Sequence, residues 1–336
     1  MLVGVSELAL HVLEERLPQP VLWGAGESSA KIAQVTDLAR KGFTAVDVLI
    51  LGPSHASVGI SPLVMIKAPE FGWSVYNGGV NGRTYSVIEF TLAHVYAPLL
   101  KPRMLVLTAS PIIFTRSNTR MERNSDEFFD APMPRALRAQ GWEGVFRRFL
   151  AERFFLYRYR KLQAGLEKGY VGHKQVIDSW GYGGKPGVYT QAQRSELQAQ
   201  HPYREVIANF AFGGPSLESF VRIVEGSNRL RVPVVVVNMP FREDLFLLAS
   251  HAREDYRTYL EEMARLAARH GFSWLDYQES LPLGDDDFRD VDHLNLSGAG
   301  KLSLRLASDL KPLLEQRVSS SHFRRPSHKR PNRPHP

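Results

Sequence analysis

The chain has 336 residues, 43% hydrophobic and 23% charged, with a formal net charge of +7 and no cysteine. This length and apolar content suit one sizeable globular core and exclude a compositionally disordered protein. The missing cysteine excludes disulfides, thiolate metal sites and a cysteine nucleophile.

Residues 1–44 read as an N-terminal helical segment. The first twenty carry Glu7, Glu14, Glu15 and Arg16 and lack the basic start, apolar centre and small-residue cleavage site of a secretory signal. No run of about 18 apolar residues occurs anywhere, the length needed to span a bilayer. The expectation is a soluble chain, cytoplasmic or membrane-peripheral, with export unsupported by a visible signal.

From residue 45 to 317 short β-branched runs alternate with helix-like segments, the pattern of a parallel sheet with crossover helices. Strands are predicted at Ala45–Leu51, Trp73–Asn77, Met104–Thr108, Val232–Asn238 and Ser273–Asp276. Helices are predicted at Tyr85–Tyr96, Leu217–Asn228 and Glu254–His270. A last helix runs from Lys301 to about Leu310, before Pro312, with Asn295 or Ser297 as N-cap. The fold class is α/β: a three-layer α/β/α sandwich with a five-stranded, mainly parallel, flavodoxin-like sheet and a helical insertion.

The insertion, at about 112–215, contains no convincing buried strand and reads as helical in its first half and loop-like in its second, around Gly181–Gly187. Its run Val145–Arg160 interleaves arginine with aromatics. Such a helix can lie on a membrane surface or a partner; packing with the arginine stems snorkelling to solvent is the preferred reading. Residues 318–336 form a disordered basic tail, with Arg324, Arg325, Lys329, Arg330 and Arg333 among serines, histidines and prolines. A loose tail is not a basic face with aromatics, so no specific nucleic-acid partner is expected.

The chemistry-bearing residues cluster at strand ends. Asp290 lies three residues before His293, a base with a carboxylate to hold its second ring nitrogen. Ser54 follows the first strand in Gly52-Pro-Ser54-His-Ala56, as a nucleophile or a simple helix cap. In Asn77-Gly-Gly-Val-Asn-Gly82-Arg83-Thr84 the Gly82 N–H can join the Ser54 N–H as oxyanion donors, or the loop is an ordinary glycine-rich turn. Possible pocket residues are His55, which can also point away across its turn, Arg83, Ser110 and Asn238. Asp292 is a weaker orienter than Asp290 because its adjacency to His293 makes the approach harder. Asp285-Asp-Asp287 offers too few converging oxygens for calcium and reads as a solvated loop. Neither a metal nor a dissociable cofactor is required.

Three motifs in order, Gly-x-Ser54 after the first strand, Asn77-x-x-x-x-Gly82-x-Thr84 after the second, and Asp290-x-x-His293 before the last helix, resemble the SGNH or GDSL hydrolase superfamily. The resemblance implies Ser54 as nucleophile, Gly82 as oxyanion glycine, and Asp290 and His293 as acid and base. The family's Gly-x-Asn-Asp after strand three is replaced by Ala109-Ser110-Pro111. That departure resembles the branch of D-alanine transfer proteins and, more loosely, alginate-type O-acetyltransferases, as do Gly59-Ile-Ser-Pro62 and the His-Leu-Asn after Asp292. It implies a serine-dependent ester hydrolase or O-acyltransferase acting on an acylated small molecule or polysaccharide, with a membrane O-acyltransferase as a possible partner. The competing expectation is a catalytically weak or inactive SGNH-fold module that binds carbohydrate or a partner protein.

Overall fold

A computed structural model describes residues 7–8, 22–23, 26–139, 141–154, 156, 177–200 and 203–320. The basic tail beyond Ser320, most of 1–25 and the latter part of the Val145–Arg160 run lie outside the described residues.

Five parallel strands form one sheet in the order β2-β1-β3-β4-β5. The first helix, α1, is Glu27–Arg40; then come β1 (Val48–Leu51), α2 (Ser54–Gly59), α3 (Pro62–Lys67), β2 (Val75–Asn77) and α4 (Tyr85–Thr91). From α4 the chain continues through a π turn at Leu92–Tyr96 into α5 (Ala97–Leu100) and then β3 (Met104–Ala109). Registers place Val48 beside both Val75 and Met104, Leu105 beside Val234, and Val235 beside Ser273. The apolar runs of β1, β3 and β4 are buried throughout, as strands covered on both faces must be. The order reverses between β1 and β3, and in open α/β sheets ligands collect beyond the strand carboxyl ends at such a point.

The excursion after β3 holds α6 (Thr119–Phe129), α7 (Pro132–Arg138), α8 (Gly141–Arg153), α9 (Gln191–Gln200) and α10 (Arg204–Ala208). Its second half is therefore not simply loop: the glycine-rich segment is followed by two further helices. At its base the two ends pair antiparallel, Thr115 against Phe212, with Arg116 N–H donating to Ala211 O (2.9 Å) and Gly213 N–H to Phe114 O (3.0 Å). The glycine-rich loop caps the β2 edge through Asn77 N–H to Trp180 O (2.9 Å). Gly181 sits there at φ +83°, where a Cβ would lie 2.1 Å from Asn77 O. The Asn77–Trp180 bond satisfies one of the backbone groups an open edge would expose.

The return comprises α11 (Pro215–Arg229), β4 (Val234–Asn238), α12 (Ala252–His270), β5 (Ser273–Asp276), α13 (Tyr277–Ser280) and α14 (Leu296–Ser320). Helices α4, α11 and α12 pack on one another over one face of the sheet, with Tyr85, Phe114 and Phe220 rings 5.0–5.5 Å apart. On the other face α14 packs against α2 and α3 and buries Leu302, Leu306, Leu310 and Leu314. Helix α14 runs through Pro312 rather than stopping before it. Pro312 is exposed, so water can satisfy the carbonyl that its missing N–H leaves unpaired, while Leu310 and Leu314 hold both sides of the break on the core.

Over its described part the Arg/aromatic helix is packed, as the preferred reading has it, but not through its aromatics. Helix α8 packs against α7, and Gly144 makes the close approach, since a Cβ there would meet Ala139 O at 2.2 Å. Trp142, Val145, Phe146 and Phe149 are exposed.

Candidate active site

The nucleophile candidate is placed by a steric necessity. At Gly52 the chain leaves β1 with φ +155°, and a Cβ would lie 2.0 Å from Thr108 Oγ1 on β3. Only glycine fits both the dihedral and the gap. Two residues later Ser54 is the first residue of α2, half-buried, where helix N–H groups lack intrahelical acceptors.

The loop 288–294 is pinched by a Phe288–Leu294 bridge and by Arg289 N–H donating to His293 O (2.9 Å). Asp290 Oδ1 accepts from the His293 backbone N–H and lies 2.8 Å from ring Nδ1. His293 Nε2 lies 2.7 Å from Ser54 Oγ. Residues 239 positions apart thus form a continuous Ser54–His293–Asp290 array.

Asp292 is closer to the ring than its adjacency in sequence implies. Its Oδ1 lies 3.1 Å from His293 Nδ1, because the pinched loop curls both carboxylates around the imidazole. Nor does His55 point away from the site: its ring stacks on His293 with centroids 5.1 Å apart, and its Nε2 lies 3.3 Å from Asp292 Oδ2. Burial opposes charge on His293, but Asp292, then Asp290, outweigh it and hold the imidazole at a pKa of about 10. Burial likewise opposes charge on Asp290 and Asp292, and His293 outweighs it, drawing Asp290 down and Asp292 well down. Asp292, ahead of burial and Asp290, pushes the Tyr203 phenol far above its ordinary value, with Arg120 pulling the other way. Ligand atoms of His55, Asp292 and His293 lie within 4.8 Å of one another, a spacing compatible with a cation. His293, however, already engages its Nδ1 with two carboxylates and its Nε2 with Ser54.

The second loop is stitched to the nucleophile helix. Asn77 Nδ2 donates to Ala56 O (2.7 Å) and Ile60 O (2.8 Å), its Oδ1 accepts from Gly79 N–H (2.9 Å), and Val80 N–H donates to Gly52 O (2.9 Å). A Cβ on Gly79 would lie 2.7 Å from Ser57 N. This close approach fixes the loop before Gly82, which adopts φ +66°. Asn124 of α6 puts its Nδ2 3.4 Å from where a Cβ on Gly82 would sit.

Helix α1 braces both pieces through a buried ion pair. Lys31 is 0% and Glu27 4% exposed, with Nζ 3.0 Å from Oε1. Glu27 accepts from Ser57 Oγ on α2 and from Asn81 N–H (2.8 Å); Lys31 donates to Gly79 O. Burial lowers the Lys31 pKa, with Glu27 opposing it. Sequence reading misses this brace, since an i,i+4 pair on an N-terminal helix carries no sign of its long-range partners.

The other expected residues divide. Arg83 is partly buried beside Gly82. Ser110 is 2% exposed, with its Oγ unpaired among the described residues. Asn238 is corrected from pocket lining to interior: it is 0% exposed, donates to Tyr256 Oη and Asp276 Oδ1 (both 2.8 Å) and accepts from Tyr259 Oη (3.0 Å). Its amide is fully occupied between β4 and β5. Asp287 is likewise not solvated, being buried with Lys301 at 2.7 Å and Ser297 Oγ at 2.8 Å.

No protein-family model and no curated protein matches the chain. Its fold is similar to that of several solved lipases and esterases. A GDSL-like lipase from Bacteroides thetaiotaomicron is 8% identical, with a TM-score of 0.38 over 86% of this chain and 98% of that one. A carbohydrate acetylesterase family member from Sinorhizobium meliloti is 12% identical, with a TM-score of 0.34 over 81% and 99%. An inhibitor-bound M. smegmatis aryl esterase is 12% identical, with a TM-score of 0.35 over 80% and 99%. At scores this low the likeness carries no functional weight; the side-chain geometry does. What the chain itself presents is a flavodoxin-like sheet with Ser54, Gly82, Asp290 and His293 in the order that the SGNH/GDSL motifs have.

Proposed function

We propose that this protein is a serine-dependent ester hydrolase or O-acyltransferase of the SGNH/GDSL type, acting on an acylated carbohydrate or envelope polymer. The observation that supports it is the Ser54 Oγ to His293 Nε2 contact of 2.7 Å, continued at Nδ1 to Asp290 at 2.8 Å. Nucleophile, base and orienter within hydrogen-bond reach are the geometric requirement for acyl chemistry. In the deprotonated state, His293 Nε2 takes the Ser54 proton as Oγ attacks the ester carbonyl. The imidazolium then protonates the departing alcohol, leaving an acyl-Ser54. Water, or a sugar hydroxyl, gives its proton to Nε2 and takes the acyl group, and Nε2 returns that proton to the departing Ser54 Oγ as the acyl–serine bond breaks. The Ser54 and Gly82 N–H groups are the donors available to the oxyanion, and the Asn124 amide stands beside Gly82 although Ser110 occupies the family's asparagine position.

Labelling with a fluorophosphonate probe tests this. The wild type should be labelled and Ser54→Ala should not; a folded wild type that resists labelling sinks the proposal. The second reading, a weakly catalytic binding module, draws on Ser110-Pro111 in place of the family's asparagine, since losing one oxyanion donor costs about 10² to 10³ in rate.

A further inference from the structure

We propose that α8 docks on an anionic membrane surface through its outward face. This inference is independent of the catalytic reading. Among the described residues, most large exposed apolar side chains are scattered singly, but Trp142 (86%), Val145 (61%), Phe146 (59%) and Phe149 (50%) share one helix. At about 100° per residue these four occupy an arc of about 100° centred nearly opposite Gly144, the residue that packs on α7. The usual arrangement is inverted: the face turned to solvent is the apolar one, and half or more of each of these side chains is left to water. Clustered exposed apolar side chains of this kind mark an interaction surface.

Charge complementarity selects the occupant. The sequence from 141 to 161 carries six basic residues against Glu143 and Glu152, and three of the six, Arg158, Arg160 and Lys161, fall in 154–161, which has no acid. Aromatic side chains flanked by arginine are the composition that seats a helix at the headgroup boundary of an anionic bilayer. A second copy of this chain would instead bring two like-charged basic stretches together across a two-fold axis, which opposes pairing. Among the described residues no helix is long and apolar enough to cross a membrane, so the contact is one of lying on the surface.

Full-length protein mixed with phosphatidylcholine vesicles, with and without phosphatidylglycerol, tests the assignment by cosedimentation at physiological salt. The wild type should bind only the anionic vesicles. Trp142→Ser/Phe146→Ser/Phe149→Ser, which alters exposed positions only, should weaken binding at least tenfold. Replacing the tail cations Arg324, Arg325, Lys329, Arg330 and Arg333 by Gln should weaken binding less than the triple variant does, since it leaves the apolar face in place. Lipids brominated in the acyl chain should quench wild-type tryptophan emission, and Trp142→Phe should bind as well as wild type while losing that quenching. Absence of binding to anionic vesicles overturns the proposal. So does binding that disappears with the tail cations yet survives in the triple variant, or a lipid-free dimer that the triple variant abolishes.

Discussion

Replacing Asp292 by Asn tests how the two carboxylates share control of His293. With the imidazole held at about 10 against an ordinary 6.5, the site favours the imidazolium by about 5 kcal/mol, at about 1.4 kcal/mol per unit. At pH 7 only about one site in a thousand then carries the neutral base. Removing an opposite charge within about 4 Å shifts a pKa by about 1 to 3 units, and Asp292 is the largest influence raising this one. Asp290 stays at 2.8 Å to keep the ring oriented. In Asp292→Asn the acid limb of kcat/KM should therefore move down by about one unit or more, and activity at pH 7 should rise about tenfold or more. The assay is initial-rate hydrolysis of an activated aryl ester from pH 5.5 to 10.5 at constant ionic strength, with Ser54→Ala as the blank. Asp290→Asn should also lower the limb, but with a fall in the alkaline plateau of about 10³ or more as the tautomer is lost. The reasoning is refuted if the acid limb of Asp292→Asn stays in place, or if its rate falls by the same factor at every pH. A stability consequence has a fixed sign. The raised pKa of His293 contributes stability that is complete below pH 6.5 and lost as pH rises through about 10; the wild-type melting temperature should fall across that window more than that of Asp292→Asn.

Three further outcomes follow from packing. Glu27→Gln should cost about 3–5 kcal/mol in urea denaturation by stranding a buried Lys31, and Glu27→Gln/Lys31→Met should recover much of it; a double variant as unstable as the sum of the singles would dismiss the brace. Gly52→Ala places a methyl 2.0 Å from Thr108 Oγ1 at φ +155° and should cost about 2–4 kcal/mol; a midpoint unchanged within error would show that the turn relaxes freely. Asn295→Ala removes the cap that accepts from Ser297 N–H (2.9 Å) and Gly298 N–H (3.1 Å) and the bonds to Gly187 O and Asp286 O, a loss of about 1–3 kcal/mol on thermal melting. A smaller loss would mean that water replaces the cap.

Strands and helices of the sandwich were legible because their signals are local. Val234–Asn238 and Met104–Ala109 are β-branched or aliphatic runs buried on both faces, and the turns after β1 and β2 carry Gly52 and Gly82 where positive φ is required. Ser54, Asp290 and His293 were legible as motif members, and their convergence follows from strand order. Asp292 and His55 were underrated because adjacency along the chain is a poor guide inside a pinched loop, where the 288–294 turn wraps both carboxylates around one ring. Pro312 misled as a helix stop because its cost depends on whether the freed carbonyl faces water, which sequence does not state. The Glu27–Lys31 brace and the placement of Asn238 depend on contacts between residues 18 to 48 positions apart. The exposed face of α8 depends on which side Gly144 turns toward its neighbour, and glycine in a helix carries no directional mark.

The pinch at Thr115 and Phe212 joins the two ends of the long excursion at a narrow base, and its glycine-rich loop is tied back to the sandwich at Asn77 and Asn295. Once β3 and α11 are in place, its two ends are already joined, and the entropy of closing a loop grows only logarithmically with length, by about 0.6 kcal/mol per doubling. Changes of length between these anchor points therefore cost the sandwich little in loop-closure entropy. Yet that excursion carries Asn124 to the edge of Gly82, Tyr203 to the two carboxylates and the Gly187 carbonyl to Asn295. A chain built this way can trade the walls around its serine while the strands that hold the serine stay as they are.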